Sequence, residues 1–204
     1  MILARISTRR ASGVVREPSV RARHLARTAG WWYVANIVTG ATAAVLSMRK
    51  MQGFGNTANL LATIAYVVVT VLLFQLFRPV SKRVSLVAAF CSFLGCIAAF
   101  SDMFGHLPKQ ISPLMFFGAY CLLLGYLIMR SWFLPKILGV FLVIGGLGWL
   151  TFALPSLSRQ IFPYNMLPGI ISETLFTLWL VIRGLNEARW QDQARAGDAL
   201  NSRD

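Results

Sequence analysis

Long apolar stretches alternate with short polar connections along most of the chain. A helix that crosses a bilayer takes about 20 predominantly apolar residues, and six stretches of roughly that length can be drawn. They run from Trp31 to Met48, Ala58 to Phe77, Val84 to Phe104, Pro113 to Met129, Ile137 to Leu154, and Pro168 to Ile182. The pattern predicts an all-α fold, a polytopic membrane bundle of six transmembrane helices.

The composition favours the same class. The 204 residues are 56% hydrophobic and 13% charged, whereas about a quarter of the residues in an ordinary soluble domain are charged. Little sequence is left for a second domain. We expect a basic, partly disordered cytoplasmic arm over residues 1–29, a six-helix transmembrane domain over residues 30–185, and a polar cytoplasmic tail over residues 186–204.

The positive charge follows the alternation of the connections. Of the 20 lysines and arginines, 16 lie before the first stretch, after the last stretch, or within or beside the second and fourth connections. The four exceptions are Arg49, Lys50, Lys109 and Arg159. The positive-inside rule therefore predicts that both termini are cytoplasmic. We expect a multi-pass protein of the bacterial inner membrane.

The net charge of +13 follows this topology, so we do not expect nucleic acid as a partner. The expected partners are the lipid bilayer and, at the basic N-terminal arm, anionic lipid headgroups. The arm is also rich in arginine and serine with the single acid Glu17, so a mitochondrial transit peptide is the alternative interpretation.

Glu173 is an isolated carboxylate in the sixth stretch. No other acid or base lies between Pro168 and Ile182. A charge at bilayer depth costs roughly 2.5 kcal/mol or more, so such a group normally faces a polar interior, a partner or a proton. Two interpretations stay open: a group that titrates or binds a cation, or a hydrogen bond to a neighbouring helix that holds the bundle in register.

Other polar residues recur at helical spacing. Asn59, Thr63 and Tyr66 form one stripe on the second stretch, and Asp102 and His106 lie one turn apart at the end of the third. The topology places these groups on the outer side, as it does Glu173. If these faces converge, they form a small polar cavity open to the outer side and lined by Glu173, Asp102, His106, Asn59, Thr63 and Tyr66. Close packing between helices is the alternative for hydroxyl-bearing and small positions such as Thr63. Solvation at a helix end is the alternative for Asp102 and His106.

Small residues mark the faces through which the helices are expected to pack. In lipid, close approach of backbones replaces the hydrophobic force between helices, and we assign this role to Gly40, Gly95, Gly118 and Gly125. Tryptophan and tyrosine near span ends are expected at the membrane interface, and we interpret Trp31, Trp32 and Tyr33 in this way.

The three cysteines show neither metal-ligand spacing nor a disulfide framework. Cys91 and Cys96 are five residues apart, on different faces of a helix. We interpret these two and Cys121 as packing residues. His24 and His106 are too far apart to complete a metal site, so no metal is expected.

Three blocks carry a resemblance to a known family. They are the run from Arg23 to Gly40, with its Trp-Trp-Tyr; the block from Leu124 to Gly139, with Gly-Tyr-Leu-Ile and Leu-Pro-Lys; and the ending from Glu173 to Gly184. The chain resembles the DUF4386 family of multi-spanning bacterial membrane proteins over roughly Arg23 to Asn186. Because DUF4386 is a domain of unknown function, the resemblance implies a fold and a membrane setting but no activity.

No catalytic motif names a reaction. The sequence has no metal-ligand cluster, no credible Ser-His-Asp arrangement and no glycine loop that would cradle phosphate. We therefore expect no catalytic residues, no cofactor and no enzymatic activity. The main hypothesis is a non-catalytic membrane scaffold or accessory protein; the alternative is a small transporter or permeability factor that uses Glu173 in a polar cavity. The sequence does not indicate a substrate, a protein partner or an oligomeric state.

Overall fold

A computed structural model describes residues 17–108 and 111–201. Every regular element in these ranges is helical, as the apolar pattern predicted. The α-helices are α1 (Glu17–Met48), α2 (Gln52–Phe77), α3 (Lys82–Met103), α4 (Pro113–Arg130), α5 (Lys136–Leu150), α6 (Pro155–Ile161), α7 (Leu167–Ile182) and α8 (Glu187–Asn201). A short 3-10 turn follows α5 at Thr151–Ala153, and another precedes α7 at Tyr164–Met166.

Five helical segments of the described chain are long and apolar enough to cross a membrane. They are Gln52–Phe77, Lys82–Met103, Pro113–Arg130, Lys136–Ala153 and Tyr164–Ile182. Each overlaps one of the last five apolar stretches of the sequence, so the chain is a multi-pass transmembrane helix bundle. The first apolar stretch, Trp31 to Met48, forms the second part of α1.

Polar residues and prolines set the starts of two spans. The Ser81 hydroxyl accepts from the backbone N–H of Val84 at 3.4 Å, and the Ser112 hydroxyl accepts from that of Leu114 at the same distance. Pro113 occupies the first turn of α4, where a missing N–H leaves no bond unmade. These caps satisfy donors that the first helical turn cannot pair internally.

Consecutive long helices run antiparallel. Gly55, near the start of α2, lies beside Ser47, near the end of α1, and Thr70 of α2 is hydrogen-bonded to Ser92 of α3 at 2.6 Å. The name "basic end" is used for the end of the bundle at which α1, α3 and α5 begin. The opposite end, at which α2, α4 and α7 begin, is named the cavity end because a cavity opens between the helices there.

Three of the four predicted packing glycines lie at close contacts. A β-carbon on Gly125 would lie 2.7 Å from the Gly139 carbonyl oxygen, and one on Gly118 would lie 2.8 Å from the Leu150 nitrogen. A β-carbon on Gly95 would lie 2.6 Å from the Phe117 ring. Gly40 differs, because its nearest neighbour outside its own helix would be an ordinary contact of 4.0 Å with Ala62.

Large apolar side chains fill the bundle toward the basic end. They are fully or almost fully buried and come from α2, α4, α5 and α7: Leu73, Leu76, Phe77, Leu124, Leu127, Ile128, Leu142, Phe176 and Leu180. These side chains close the interior of the bundle at the basic end.

Helix extends further toward both ends of the chain than the apolar pattern indicated. α1 begins at Glu17, inside the expected arm, because Ala22, Ala26 and Ala29 give its first turns a buried face. α8 occupies most of the expected tail, where Trp190 Nε1 donates to the Leu76 carbonyl oxygen at 2.9 Å. Residues 1–16 of the arm and 202–204 of the tail lie outside the described residues.

Candidate functional site

Four helices converge on the carboxyl group of Glu173 in α7. The Tyr33 hydroxyl of α1 donates to Oε2 at 2.9 Å, and the Trp149 indole Nε1 of α5 donates to Oε1 at 2.7 Å. The Cys121 thiol of α4 donates to Oε1 at 3.6 Å. Hydrogen-bond donors from three neighbouring helices thus surround the two carboxyl oxygens of Glu173.

Gly169 allows the indole of Trp149 to reach Glu173. Gly169 is one helical turn before Glu173 on α7, and a β-carbon there would overlap the Trp149 ring. Trp149 is only 7% exposed, so the ring has little room to move away. The hydrogen bond between α5 and α7 therefore depends on the missing side chain of Gly169.

Close packing of α1 on α7 brings Tyr33 to the carboxylate. A β-carbon on Gly30 would lie 2.8 Å from Val181 Cγ2 and 3.0 Å from the Val181 nitrogen. Tyr33 follows within one turn and is fully buried. Its ring packs edge-to-face on Phe176, with ring centroids 6.4 Å apart. The hydroxyl is thus fixed at the end of a rigid side chain.

Tyr66 of α2 lies at the centre of an aromatic cluster beside this carboxylate. Its ring centroid is 4.7 Å from that of Phe117, 5.7 Å from that of Tyr33 and 6.0 Å from that of Tyr120. The hydroxyls of Tyr66 and Tyr120 are buried and have no hydrogen-bond partner among the described residues. Buried polar groups are usually paired, so the Tyr66 hydroxyl has bonding capacity to offer a ligand.

A cavity of about 380 Å³ opens between the helices at the cavity end. Its wall combines apolar and aromatic side chains with a few polar ones: Asn36, Ile37, Gly40, Ala41, Ala44, Asn59, Ala62, Thr63, Tyr66, Ala99, Leu114, Phe117, Trp149, Met166, Ile170, Glu173 and Thr174. Ala41, Ala44 and Ile170 are the exposed members of this wall. They belong to α1 and α7, so these two helices frame the mouth of the cavity.

Glu173 is the single acidic side chain among the described residues of this cavity wall. Glu173 is half-buried and lines it, while no lysine or arginine is among the described residues of the wall. Tyr66, Phe117 and Trp149 present aromatic rings, whose faces attract cations. A largely apolar pocket with one carboxylate and aromatic walls is chemically matched to a small organic cation.

The structure brings four of the six predicted cavity residues together. Glu173, Asn59, Thr63 and Tyr66 all line the cavity. Asp102 and His106 do not: both are exposed at or just beyond the end of α3. Among the described wall residues, α3 contributes Ala99.

Sequence reasoning missed the three residues that bind the carboxylate. The sequence pattern indicates an interfacial position for Tyr33 and a packing role for Cys121, and it does not mark Trp149. A signal for Tyr33 was present, because Ala22, Ala26, Ala29 and Tyr33 repeat at spacings of four, three and four and share one buried face. The neighbouring Trp31 and Trp32 are exposed, as interfacial side chains are.

Asn36 was also missed as a wall residue. Its side-chain nitrogen donates to the Ala62 carbonyl oxygen at 3.0 Å and joins α1 to α2. Among the described residues, no three His, Cys, Asp or Glu side chains cluster to hold a metal ion. The three cysteines are free thiols; Cys96 and Cys121 are buried and Cys91 is half-buried.

Comparison with known proteins finds a family model that matches part of the chain. The family model for DUF4386, described as a domain of unknown function, matches residues 109–184. The match includes the block from Leu124 to Gly139 and the ending from Glu173 to Gly184, whereas the block from Arg23 to Gly40 lies outside it. No solved structure is significantly similar to the chain.

A similar protein aligns with more of the chain than the family model does. The chain is 31% identical over 124 residues to an uncharacterised protein of the archaeon Archaeoglobus fulgidus, an alignment that covers 58% of this chain and 76% of that protein. Together with the family match, this similarity identifies the chain as a member of the DUF4386 family.

Proposed function

We propose that this protein binds a small organic cation in the cavity and acts as a small transporter or permeability factor, with Glu173 as the counter-ion. The observation that carries the proposal is the half-buried Glu173 carboxylate in the wall of a cavity of about 380 Å³. This volume lies within the range of about 300–1,000 Å³ that is usual for ligand pockets. We propose no catalytic role.

The position of the cavity mouth between α1 and α7 favours a ligand that also partitions into lipid. α1 and α7 frame this mouth, and Ile170 beside it is exposed. An ammonium or quaternary amine with an apolar group would pair its charge with Glu173 and place its apolar part against Phe117 and Leu114. Its positive charge would also face the Trp149 and Tyr66 rings.

A non-catalytic scaffold or accessory protein is the second candidate. One observation favours it: large buried side chains such as Phe77, Ile128 and Leu180 fill the bundle toward the basic end, so transport requires a rearrangement of that half. The presence of the cavity argues against a purely structural scaffold function. Helices in lipid associate through close packing, and an internal space gives up those contacts.

In the proposed topology the protein lies in the inner membrane of the cell. It crosses that membrane six times, and both termini are in the cytoplasm. Trp31 to Met48 of α1 would extend about 27 Å at 1.5 Å per residue, close to the thickness of the hydrocarbon core. Tyr33 and Asn36 in this segment bond to α7 and α2, which supports a place inside the bundle. The basic end would then face the cytoplasm. Anionic lipids at the N-terminal arm remain part of this proposal.

Uptake into vesicles tests the proposal. Purified protein would be reconstituted in lipid vesicles, and entry of labelled phenyltrimethylammonium would be followed, because its permanent charge makes passive entry slow. We expect saturable uptake with wild-type protein and background uptake with Glu173→Gln. Asp102→Asn is the matched control, since it removes an exposed carboxylate outside the cavity, and it should transport as wild type does.

The same experiment separates the two candidate functions. Binding of the cation without uptake above protein-free vesicles would favour a ligand-binding accessory protein over a transporter. Equal uptake by wild type and Glu173→Gln would remove Glu173 as the counter-ion.

A further inference from the structure

A shallow groove surrounds Trp132 at the basic end of the bundle. The connection between α4 and α5 covers residues 131–135. Within it Phe133 and Leu134 are buried, whereas Trp132 is 54% exposed. Its ring therefore projects from a connection that its neighbours anchor in the core.

α8 holds this connection in place. The side chain of Gln193, itself buried, accepts from the Trp132 N–H at 3.0 Å and donates to the Arg130 carbonyl oxygen at 3.3 Å. Arg189 of α8 donates to the Trp132 carbonyl oxygen at 3.5 Å. These bonds join residues about sixty positions apart, so the groove is a product of the tertiary fold.

Two depressions meet at Trp132. One, of about 410 Å³, extends to Trp179, Arg183 and Arg189. The other, of about 500 Å³, extends to Lys136 and Arg189. We call the surface formed by Trp132, Lys136, Trp179, Arg183 and Arg189 the Trp132 groove.

The cations of the Trp132 groove have no acidic partner among the described side chains. Lys136, Arg183 and Arg189 are exposed, and the one ion pair within the described part of the chain joins Arg195 to Asp192 at 3.9 Å. The Arg183 guanidinium carbon lies 5.6 Å from the centroid of the Trp179 ring, a cation–π distance that fixes the charge over an aromatic face. Within the part of the chain that the structure describes, the positive charge of the groove is therefore not balanced by an acidic side chain.

The groove lies where three candidate spans end. α4 ends at Arg130, α5 begins at Lys136, and α7 ends at Ile182. This is the level of the membrane interface, where tryptophan rings pack among lipid headgroups. Next to Arg183, the outer surface of α7 is apolar, with Leu178 and Ile182 exposed.

We propose that the Trp132 groove binds the headgroup of an anionic phospholipid. The guanidinium groups of Arg183 and Arg189 would bind the phosphate, for which their planar donor pairs are well suited. Trp132 would pack on the glycerol region, and an acyl chain would follow Leu178 and Ile182. The exposed tryptophan and the apolar surface favour a lipid over a free phosphate ion, which would use the cations alone.

Native mass spectrometry of the full chain tests this proposal. The protein would be released from nanodiscs of mixed phosphatidylglycerol and phosphatidylcholine, and the retained lipid would be counted. We expect wild type to retain phosphatidylglycerol selectively. Removing two cations with Arg183→Gln/Arg189→Gln should weaken retention about thirtyfold, because each cation near an anionic headgroup contributes about a factor of five.

The matched control is Arg78→Gln/Arg83→Gln. It removes two exposed cations from the same end of the bundle, outside the groove, and should retain phosphatidylglycerol as wild type does. Equal loss in both double variants would overturn a defined site in favour of diffuse attraction. Equal retention of the two lipids by wild type would also overturn it.

Two further measurements complete the test. Both double variants should unfold cooperatively in phosphatidylcholine nanodiscs, the groove variant at a slightly lower temperature because it also loses the Arg189 bond to Trp132. Lys136→Gln alone should give a smaller loss of retention. Glycerol 1-phosphate and inorganic phosphate are added as competitors. Full displacement of the lipid by either one at millimolar concentration would show that the groove binds free phosphate and would contradict the lipid assignment.

Discussion

The indole of Trp149 and the carboxylate of Glu173 are joined by a 2.7 Å hydrogen bond across the interface of α5 and α7. Gly169 leaves the space that the ring occupies. The bond fixes one carboxylate oxygen, and Tyr33 fixes the other from α1 at 2.9 Å. These two bonds therefore join α7 to α5 and α1, while Glu173 also lines the cavity.

Gly169→Ala should displace the Trp149 ring and break its bond to Glu173. Overpacking at a closely packed contact costs about 1–3 kcal/mol, so we expect a lower free energy of unfolding in detergent. The measurement is a double-mutant cycle with Trp149→Phe, whose smaller ring cannot donate. Gly169→Ala should cost clearly less in the Trp149→Phe background, and an equal cost in both backgrounds would show that the two residues are not coupled.

Tyr33→Phe should destabilise the bundle by about 1–3 kcal/mol, because it leaves one oxygen of a largely enclosed carboxylate without its donor. Tyr66→Phe is the matched control. Its hydroxyl has no partner among the described residues, so its loss should be neutral or slightly stabilising. Equal destabilisation of the two variants in chemical unfolding would contradict the assigned hydrogen bond.

Gly95→Leu should force α3 away from α4, because a β-carbon at this position already meets the Phe117 ring. Since Phe117 also lines the cavity, the variant should lose both thermal stability and ligand binding. Leu86→Phe adds bulk to a side chain of the same helix that is 59% exposed, and it should have little effect. Equal melting temperatures for the two variants would tell against packing through Gly95.

The topology is testable with single cysteines and a membrane-impermeant maleimide on intact cells. Arg49→Cys and Gln160→Cys should be labelled from outside, while Arg23→Cys and Asp192→Cys should react only after permeabilisation. The native protein is the control, since its own cysteines are buried or half-buried. If Arg23→Cys and Arg49→Cys react from the same side, α1 does not cross the membrane.

Hydropathy and helical spacing predicted much of this architecture. Five apolar stretches correspond to five candidate spans, and the stripe of Asn59, Thr63 and Tyr66 lies in the cavity wall with Glu173. These features are local to single helices, where a period of 3.6 residues defines a face. Such information can be read from the sequence without knowledge of neighbouring helices.

The remaining features depend on contacts between distant segments. The rotation of α1 that buries Tyr33 follows from the close approach of Gly30 to Val181. The first apolar stretch alone does not distinguish Tyr33 from an interfacial aromatic, because the alanines that share its buried face precede that stretch. The docking of α8 depends on bonds such as the one from Trp190 to the Leu76 backbone. Spacing within α3 likewise could not show that Asp102 lies beyond the wall of the cavity.

The affinity of the cavity for a cation tests the central claim most directly. Isothermal titration would compare phenyltrimethylammonium, the neutral 2-phenyl-2-propanol and the anionic benzenesulfonate on wild type, Glu173→Gln and Asp102→Asn. We predict that wild type and Asp102→Asn prefer the cation, and that Glu173→Gln loses about tenfold or more in cation affinity while its affinity for the alcohol is unchanged. An unchanged cation affinity in Glu173→Gln would contradict the account.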